Sequence, residues 1–239
     1  MTRAQSAAIL LCAGSGKRMR GAVCDKILTP MAGLPILCHS VNAFLNAHTV
    51  AHFILVHRDP PQRAAIEQAL SHCALKDTVL HWTLGGRERQ DSVWNALQVL
   101  PADIEMVFIH DCARPLIQPE SLIKLADATA RNRAAVLAHR VTDTLKKTGP
   151  SPALDSHYLE DVPRADLWAM ETPQAFERAL ITQAYQAVQQ RKLAITDDTS
   201  AAAAAGHPVA IVENDFPNPK LTTPTDLAYM EFLLRERPV

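Results

Sequence analysis

The sequence of 239 residues lacks an excess of either charge, since 24 lysines and arginines face 25 aspartates and glutamates. A surface that binds the phosphate backbone of nucleic acid usually shows a clear basic excess. We therefore expect no nucleic-acid partner and interpret any basic cluster as local. With 48% hydrophobic residues the chain can bury a substantial core, and we expect a single domain over residues 1–239.

Paired cysteines and long apolar runs are also missing. The five cysteines are odd in number, lie far apart and form no C-x-x-C pair, which supports neither a disulfide framework nor a structural zinc site. A reducing cytoplasm fits this usage. The first apolar run, at residues 7–11, is too short to span a membrane and leads into glycines rather than a cleavage site. We expect no targeting segment and no membrane partner.

Short apolar runs alternate with stretches of helical period along the chain. This alternation predicts an α/β fold with a mostly parallel sheet and helices on both of its faces. The predicted strands cover residues 7–11, 52–57, 79–84, 106–111, 134–141 and 207–213. The predicted helices cover residues 35–45, 92–100 and 179–190 and the alanine run 201–205.

The last helix has its own start signal. Thr223 can cap it, Pro224 suits the first helical position, and Asp226 is an acid at the third. The helix is then expected to bury Leu227, Met230 and Leu234.

Residues 142–169 break the alternation. This segment has Gly149-Pro150 and Pro152 in its middle and β-like residues on either side, as a long hairpin would. It is too polar and too long for an ordinary connection in a compact domain. Two interpretations remain open: a flexible surface loop, or a protruding β-arm that packs on a second subunit.

The loop CAGSGKRM at residues 12–19 follows the first predicted strand. It is not a Walker A loop, and Met19 stands where the third glycine of G-x-G-x-x-G belongs. Backbone N–H groups and two cations in such a loop can surround a polyphosphate. A tight turn with solvated cations is the alternative.

Three further stretches favour a nucleotide site. GGRERQDS, at residues 85–92, follows the third strand with glycines that let backbone approach a ligand. HDCARP, at residues 110–115, places Asp111 at the carboxyl edge of the sheet, where α/β folds bind ligands and where a divalent cation needs an oxygen ligand. A helix-capping role for Asp111 is the structural alternative. The third stretch, NPKLTTPTDL, places Lys220 just before the last helix.

Together these motifs resemble the 2-C-methyl-D-erythritol 4-phosphate cytidylyltransferase family of isoprenoid biosynthesis, which has a Rossmann-like nucleotidyltransferase fold. The resemblance covers nearly the whole chain through AGSGKRM, DKILTPMAGLPIL, GGRERQDSV, HDCARP, DTLKK, ETPQAF, ITDDTSA and NPKLTTPTDL. Two positions depart from the usual family pattern. Cys12 stands in place of alanine, and Asp25 stands in place of the proline before the active lysine, which puts a carboxylate beside the triphosphate site.

The resemblance implies a reaction and a role for each matched position. The reaction transfers the cytidylyl group of CTP to a sugar-alcohol phosphate, with Mg²⁺ or another divalent cation. The implied catalytic residues are Arg18, Lys26 and Lys220. The implied nucleotide-binding residues are Cys12, Ala13, Gly14, Ser15, Gly16, Gly85, Gly86, Arg89, Ser92 and Asp111. The implied substrate-binding residues are Asp111, Arg114, Thr144, Arg164, Thr172, Thr196 and Lys220.

In this interpretation Asp111 is also the metal ligand, and Arg164 reaches the active site of the neighbouring subunit from the arm. The chain is then a cytoplasmic homodimer whose dimerisation arm covers residues 142–169. Two rivals remain at this point. One is a ribitol-5-phosphate cytidylyltransferase, which shares these motifs. The other is a non-catalytic nucleotide-binding regulator. This alternative is disfavoured because the chain retains Lys26, Asp111 and Lys220.

Overall fold

The computed structural model describes residues 5–14, 25–149 and 157–236. Its strands and helices are numbered here in chain order. The strands are β1 (Ser6–Leu11), β2 (Pro30–Met31), β3 (Leu34–Pro35), β4 (His52–His57), β5 (Val79–Leu84), β6 (Met106–Asp111), β7 (Ala134–Arg140), β8 (Leu145–Lys147), β9 (Glu160–Val162), β10 (Trp168–Glu177) and β11 (Ala210–Glu213). The helices are α1 (Ile36–Ala47), α2 (Pro60–Leu70), α3 (Arg89–Gln98), α4 (Pro119–Asn132), α5 (Arg178–Arg191), α6 (Asp198–Ala204) and α7 (Pro224–Arg235).

Seven strands form one sheet in the order β11-β7-β10-β6-β1-β4-β5. Each neighbouring pair is parallel except where β10 runs antiparallel between β6 and β7. In β1 the side chains alternate between two cores, Ala8 and Leu10 on one face and Ala7 and Ile9 on the other. Because both faces of the sheet are covered, the central strands are apolar throughout. The predicted mostly parallel α/β fold is confirmed.

Helices cover both faces of this sheet. Buried residues of α1, α2 and α4 pack in the first core, and those of α3, α5 and α6 pack in the second. The last helix, α7, contributes Met230 to a third, smaller cluster with Met31 and Leu221. Within the described part of the chain, no helix combines the length and apolarity that a bilayer crossing needs.

Several predicted boundaries differ from the observed ones. The helix predicted from residue 92 begins at Arg89, because Glu88 and Asp91 form a capping box with the backbone. The strand predicted from residue 207 begins at Ala210. The capping box at Thr223 is confirmed, but Met230 alone of the three predicted apolar residues of α7 is fully buried. The elements α2, α4 and β10 have no counterpart in the sequence prediction.

The segment at residues 142–169 has the expected hairpin base. Strands β8 and β9 pair antiparallel, from Leu145 opposite Val162 to Lys147 opposite Glu160. The predicted tip at Pro150 and Pro152 lies outside the described residues. Because the hairpin joins β7 to the antiparallel β10, it leaves and re-enters the sheet at the edge where the parallel strands end.

Candidate active site

A cavity of about 460 Å³ opens at the carboxyl edge of the sheet, where β1, β4 and β6 end. It brings together nine of the predicted site residues with several that were not predicted. The predicted residues that line it are Cys12, Ala13, Gly14, Lys26, Gly86, Arg89, Ser92, Asp111 and Lys220. Open α/β sheets bind ligands at this edge.

The loop after β1 enters the cavity through its first three residues. The N–H of Cys12 donates to the carbonyl of Val56 at 3.0 Å, which extends the β1–β4 pairing by one residue. The Cys12 side chain is fully buried, and its sulfur lies 3.4 Å from that of Cys112. It therefore packs as a small apolar residue beneath the loop. The predicted residues Ser15, Gly16 and Arg18 lie outside the described part of the chain.

The two glycines after β5 are required by close packing. A Cβ on Gly85 would stand 2.6 Å from the Cβ of Ala13, and one on Gly86 would stand 2.2 Å from the Cβ of Asp91. The Ser92 hydroxyl accepts a hydrogen bond from the N–H of Gly86 at 3.0 Å and donates one to the carbonyl of Glu88 at 3.2 Å. Ser92 thus holds the glycine turn against the start of α3, and Gly85 lies behind the cavity wall rather than in it.

A buried ionic network forms the floor of the cavity. Arg89 makes a bidentate contact with Asp198 at 3.0 and 2.7 Å, and its Nε donates to Asp111 at 3.2 Å. Asp198 has no exposed side-chain surface and also accepts from the hydroxyl of Tyr185 at 2.6 Å. Lys220 donates to the second oxygen of Asp111. Both oxygens of the Asp111 carboxylate are therefore paired with cations.

The network sets the ionisation of its members. Burial alone would raise the pKa of Asp111, but the charges of Arg89 and Lys220 outweigh it and hold that pKa well below its usual range. Burial would lower the pKa of Arg89, yet the carboxylates of Asp198 and Asp111 raise it. Asp111 is therefore an anion and Arg89 a cation at any pH at which the protein works.

Two lysines reach the cavity from opposite ends of the sequence. The ammonium group of Lys26 donates to the carbonyl of Leu221 at 3.3 Å, one residue after Lys220. The N–H of Leu221 in turn donates to the carbonyl of Ala113 at 2.7 Å, which ties this segment to the loop after β6. The two cations and Asp111 are thereby held at one wall of the cavity.

Apart from Asp111 and Lys220, the predicted substrate residues are outside the cavity lining. Thr172 is buried beside the cavity: its hydroxyl accepts from the N–H of Asp111 at 3.0 Å and lies 3.2 Å from Nδ1 of His110. Arg114 donates to the carbonyl of Asn218 at 2.7 Å, next to the segment that carries Lys220. Neither residue lines the cavity. The exposed Thr144, Arg164 and Thr196 do not line it either, and Arg164 donates to the carbonyl of Thr142 within its own arm.

Sequence reasoning missed four charged residues of this site. Arg58, Arg87 and Glu88 line the cavity, and Asp198 anchors Arg89. Asp198 belongs to the ITDDTSA motif, but no local pattern indicates that its partner is 109 residues away. Arg58 directly follows β4, so its place at the carboxyl end of a parallel strand was the available signal.

The chain resembles proteins of one named activity throughout its length. A family model described as 2-C-methyl-D-erythritol 4-phosphate cytidylyltransferase matches residues 6–236. A protein of that name from Geobacillus kaustophilus is 39% identical over 231 residues, which are 96% of this chain and 97% of the relative. One from Synechococcus elongatus is 38% identical over 225 residues, 94% of each chain.

Solved structures agree with these relatives. The crystal structure of 4-diphosphocytidyl-2C-methyl-D-erythritol synthase from Anaerococcus prevotii superimposes with a TM-score of 0.82 at 25% identity, covering 98% of this chain and 99% of the other. The 2-C-methyl-D-erythritol 4-phosphate cytidylyltransferase of Thermus thermophilus gives a TM-score of 0.75 at 27% identity, covering 98% and 100%.

Proposed function

This chain belongs to the 2-C-methyl-D-erythritol 4-phosphate cytidylyltransferase family, and we propose that the cavity at the carboxyl edge of its sheet is the active site. The enzyme transfers the cytidylyl group of CTP to 2-C-methyl-D-erythritol 4-phosphate, giving 4-diphosphocytidyl-2-C-methyl-D-erythritol and pyrophosphate in the non-mevalonate isoprenoid pathway. The observation that carries the assignment of the site is the convergence of Lys26, Lys220 and Asp111 on one cavity wall.

The chemistry explains why a site of this kind needs no general base. The attacking group is a phosphate oxygen, and a phosphate monoester is largely dianionic near neutrality because its second pKa is about 6. The protein must instead place this oxygen in line with the α-phosphorus and offset the charge that moves to the leaving pyrophosphate. Lys26 supplies a cation for the α-phosphate and the leaving group, and Lys220 supplies one for the attacking phosphate.

The glycine turns hold the nucleotide by their backbone. Ala13, Gly14 and Gly86 line the cavity, and the two glycines carry no side chain that would keep the nucleotide away from the backbone. The hydroxyl of Ser92 keeps Gly86 in this position. Arg89 lies within the same wall and fixes the orientation of Asp111.

The carboxylate of Asp111 is suited to be a ligand of Mg²⁺. The described residues contain no group of three acidic, histidine or cysteine side chains that could hold a metal ion, and Mg²⁺ is commonly held by one or two carboxylates together with substrate phosphates. Asp111 is an anion whose two oxygens each keep a lone pair beyond their contacts with Arg89 and Lys220. The bound ion would neutralise phosphate charge.

We further propose that the enzyme is a homodimer in which the arm at residues 142–169 reaches the partner's active site. Tyr158 and Leu159 are exposed apolar residues of this arm, and burying them would favour association. Thr144 and Arg164 would then meet the substrate bound by the partner subunit. We place the dimer in the cytoplasm, since the four described cysteines are free thiols, and the net charge of −1 argues against a nucleic-acid partner.

A pyrophosphate-release screen tests the proposal. CTP, UTP, ATP and GTP are each supplied with 2-C-methyl-D-erythritol 4-phosphate or ribitol 5-phosphate, with Mg²⁺ or with excess EDTA. We expect turnover with CTP, methylerythritol phosphate and Mg²⁺, and none in EDTA. Equal rates with ATP, a preference for ribitol 5-phosphate, or full activity in EDTA would each contradict the corresponding part of the proposal.

A further inference from the structure

A single buried glutamine joins two segments that border the cavity. Gln62, in the first turn of α2, donates one amide hydrogen to the carbonyl of Cys12 at 2.9 Å and is also 2.6 Å from Oδ2 of Asp25. Cys12 directly precedes the cavity residues Ala13 and Gly14, and Asp25 directly precedes Lys26. Gln62 does not line the cavity itself, and only 3% of its surface is exposed.

The hydrogen-bonding groups around Gln62 define its orientation. Its side-chain oxygen accepts from the N–H of Arg58 at 2.6 Å, so the amide nitrogen faces the two acceptors. Turning the amide over would point its oxygen at a carbonyl and a carboxylate and leave the Arg58 N–H facing another donor. The backbone of Gln62 is held as well, since its N–H donates to the capping side chain of Asp59 at 2.8 Å.

Asp25 is fixed at both of its oxygens. Oδ2 accepts from Gln62 and lies 3.5 Å from the guanidinium of Arg58, and Oδ1 accepts from the N–H of Ile27 at 3.2 Å. These contacts hold the Asp25 carboxylate next to Lys26, and Asp25 does not line the cavity. A carboxylate next to a triphosphate site would otherwise repel the nucleotide. Here its charge is offset by Arg58 and used to set the backbone around Lys26.

We propose that Gln62 is a positioning residue for cytidylyl transfer, which fixes the distance between the backbone at Cys12 and the segment that carries Lys26 by bonding to both. The two N–H groups of one rigid amide act as a spacer between the nucleotide-binding backbone and the cation that stabilises the leaving group. Misplacing a reacting group by about 1 Å can cost on the order of 10² in rate, so the spacer acts on kcat.

The first test removes the spacer itself. Gln62→Leu removes both donors at nearly constant volume, and we expect kcat to fall about tenfold or more while protein remains folded. Gln68→Leu, at an exposed position of the same helix, is the matched control and should leave kcat unchanged. Circular dichroism and the thermal midpoint establish that each variant is folded at the assay temperature.

Asp25→Ala separates positioning from simple charge repulsion, and it also serves if Gln62→Leu does not fold. If Asp25 acted only as a negative charge near the triphosphate, its removal would lower KM for CTP and leave kcat unchanged or raised. The spacer predicts instead that kcat falls. In the double variant Gln62→Leu/Asp25→Ala, the fold loss in kcat should be smaller than the product of the two single losses, because both substitutions remove the same Gln62–Asp25 contact.

The inference rests on the proposed role of Lys26, and the two can fail separately. An inactive Lys26→Ala enzyme together with unchanged kcat in Gln62→Leu, or with unchanged or raised kcat in Asp25→Ala, would overturn the spacer alone. Full activity of Lys26→Ala would overturn the proposed role of the lysine. Loss of thermal stability in Gln62→Leu with kcat within twofold of the parent would reduce Gln62 to a structural residue.

Discussion

Lys220 donates to the carboxylate of Asp111, although the two residues are 109 positions apart in the sequence. The contact places a cation and the proposed metal ligand within one hydrogen bond of each other. It also keeps the lysine next to the position where the attacking phosphate would lie. The site is thus organised around a charge pair whose members belong to different segments of the chain.

Lys26 is expected to act mainly on the rate. Lys26→Ala should lower kcat by about 10² or more, since the lost cation stabilises charge that develops in the transition state. Steady-state kinetics with CTP and methylerythritol phosphate varied in turn would measure this. Arg87→Ala, which removes an exposed cation of the same cavity, is the control with a smaller effect. A change confined to KM would show that Lys26 assists binding only.

Arg89 is expected to be needed for stability as well as for the site. Arg89→Ala leaves the fully buried carboxylate of Asp198 without its partner, and breaking a buried pair from one side costs about 3–5 kcal/mol. For a chain of this size that loss corresponds to a fall in Tm on the order of 10 °C.

Differential scanning calorimetry would measure this fall in Tm. It should show no comparable fall for Arg87→Ala, whose side chain is 92% exposed. Combining Arg89→Ala with Asp198→Ala should recover part of the lost stability, because no charge is then left buried and unpaired. Equal Tm values for the parent and Arg89→Ala would show that the pair contributes nothing.

Subunit mixing tests the shared active site. Arg164→Ala and Lys220→Ala homodimers should each be nearly inactive, since every site lacks one cation for the substrate phosphate. After co-refolding in equal amounts, about half of the dimers are mixed, and each mixed dimer has one intact site and one doubly altered site. Activity should recover to roughly a quarter of that of the parent enzyme.

The control for this experiment pairs Lys26→Ala with Lys220→Ala. Both residues line the same cavity of one chain, so every site in that mixture carries a lesion and no activity should return. Recovery in the control would show that sites are not built as proposed. No recovery in the Arg164 mixture, after subunit exchange is verified, would place Arg164 and Lys220 in a site of one chain or exclude Arg164 from the site.

His110 is expected to make the fold less stable in acid. Burial lowers the pKa of His110 to about 4, whereas an unfolded histidine has a pKa of about 6.5. Between these values the unfolded chain binds more protons, so the free energy of unfolding rises with pH over this window and falls as pH is lowered through it. The full contribution is roughly 3 kcal/mol.

Urea unfolding at pH 4.5 and 7 would measure this contribution. His110→Gln should reduce the difference between the two pH values, and the exposed His72→Gln should not. An unchanged pH dependence in His110→Gln would assign the acid sensitivity to other groups.

The sequence predicts most strands of the large sheet well and the ionic network poorly. Strands β4 and β6 begin and end at the predicted residues, because a strand buried on both faces is a continuous apolar run between polar turns. The edge strand β5 also has the predicted bounds. Helix α7 was recognisable from the capping residues around Pro224. These features are local, and so a local pattern identifies them.

Other features depend on the folded chain. Strand β10 follows directly on the arm and contains Pro173, which obscures it as a strand. The bidentate pairing of Arg89 with Asp198 joins residues from two motifs, each of which looked like a nucleotide or substrate motif by itself. Nothing in the order of residues indicates that Gln62, in an unpredicted helix, would lie between Cys12 and Asp25.

The position of β1 in the sheet has a consequence for how the chain is made. This first strand lies between β4 and β6, and its neighbour Cys12 meets Cys112 across 100 residues of sequence. A ribosome adding about 5–20 residues per second takes roughly 5–20 s to supply that partner. Until then one edge of the β1 segment SAAILL stays open to other strands. The segment is uncharged and apolar, and this composition favours pairing between molecules. The aggregation hazard of this enzyme during synthesis therefore lies in a strand that the finished fold buries almost completely.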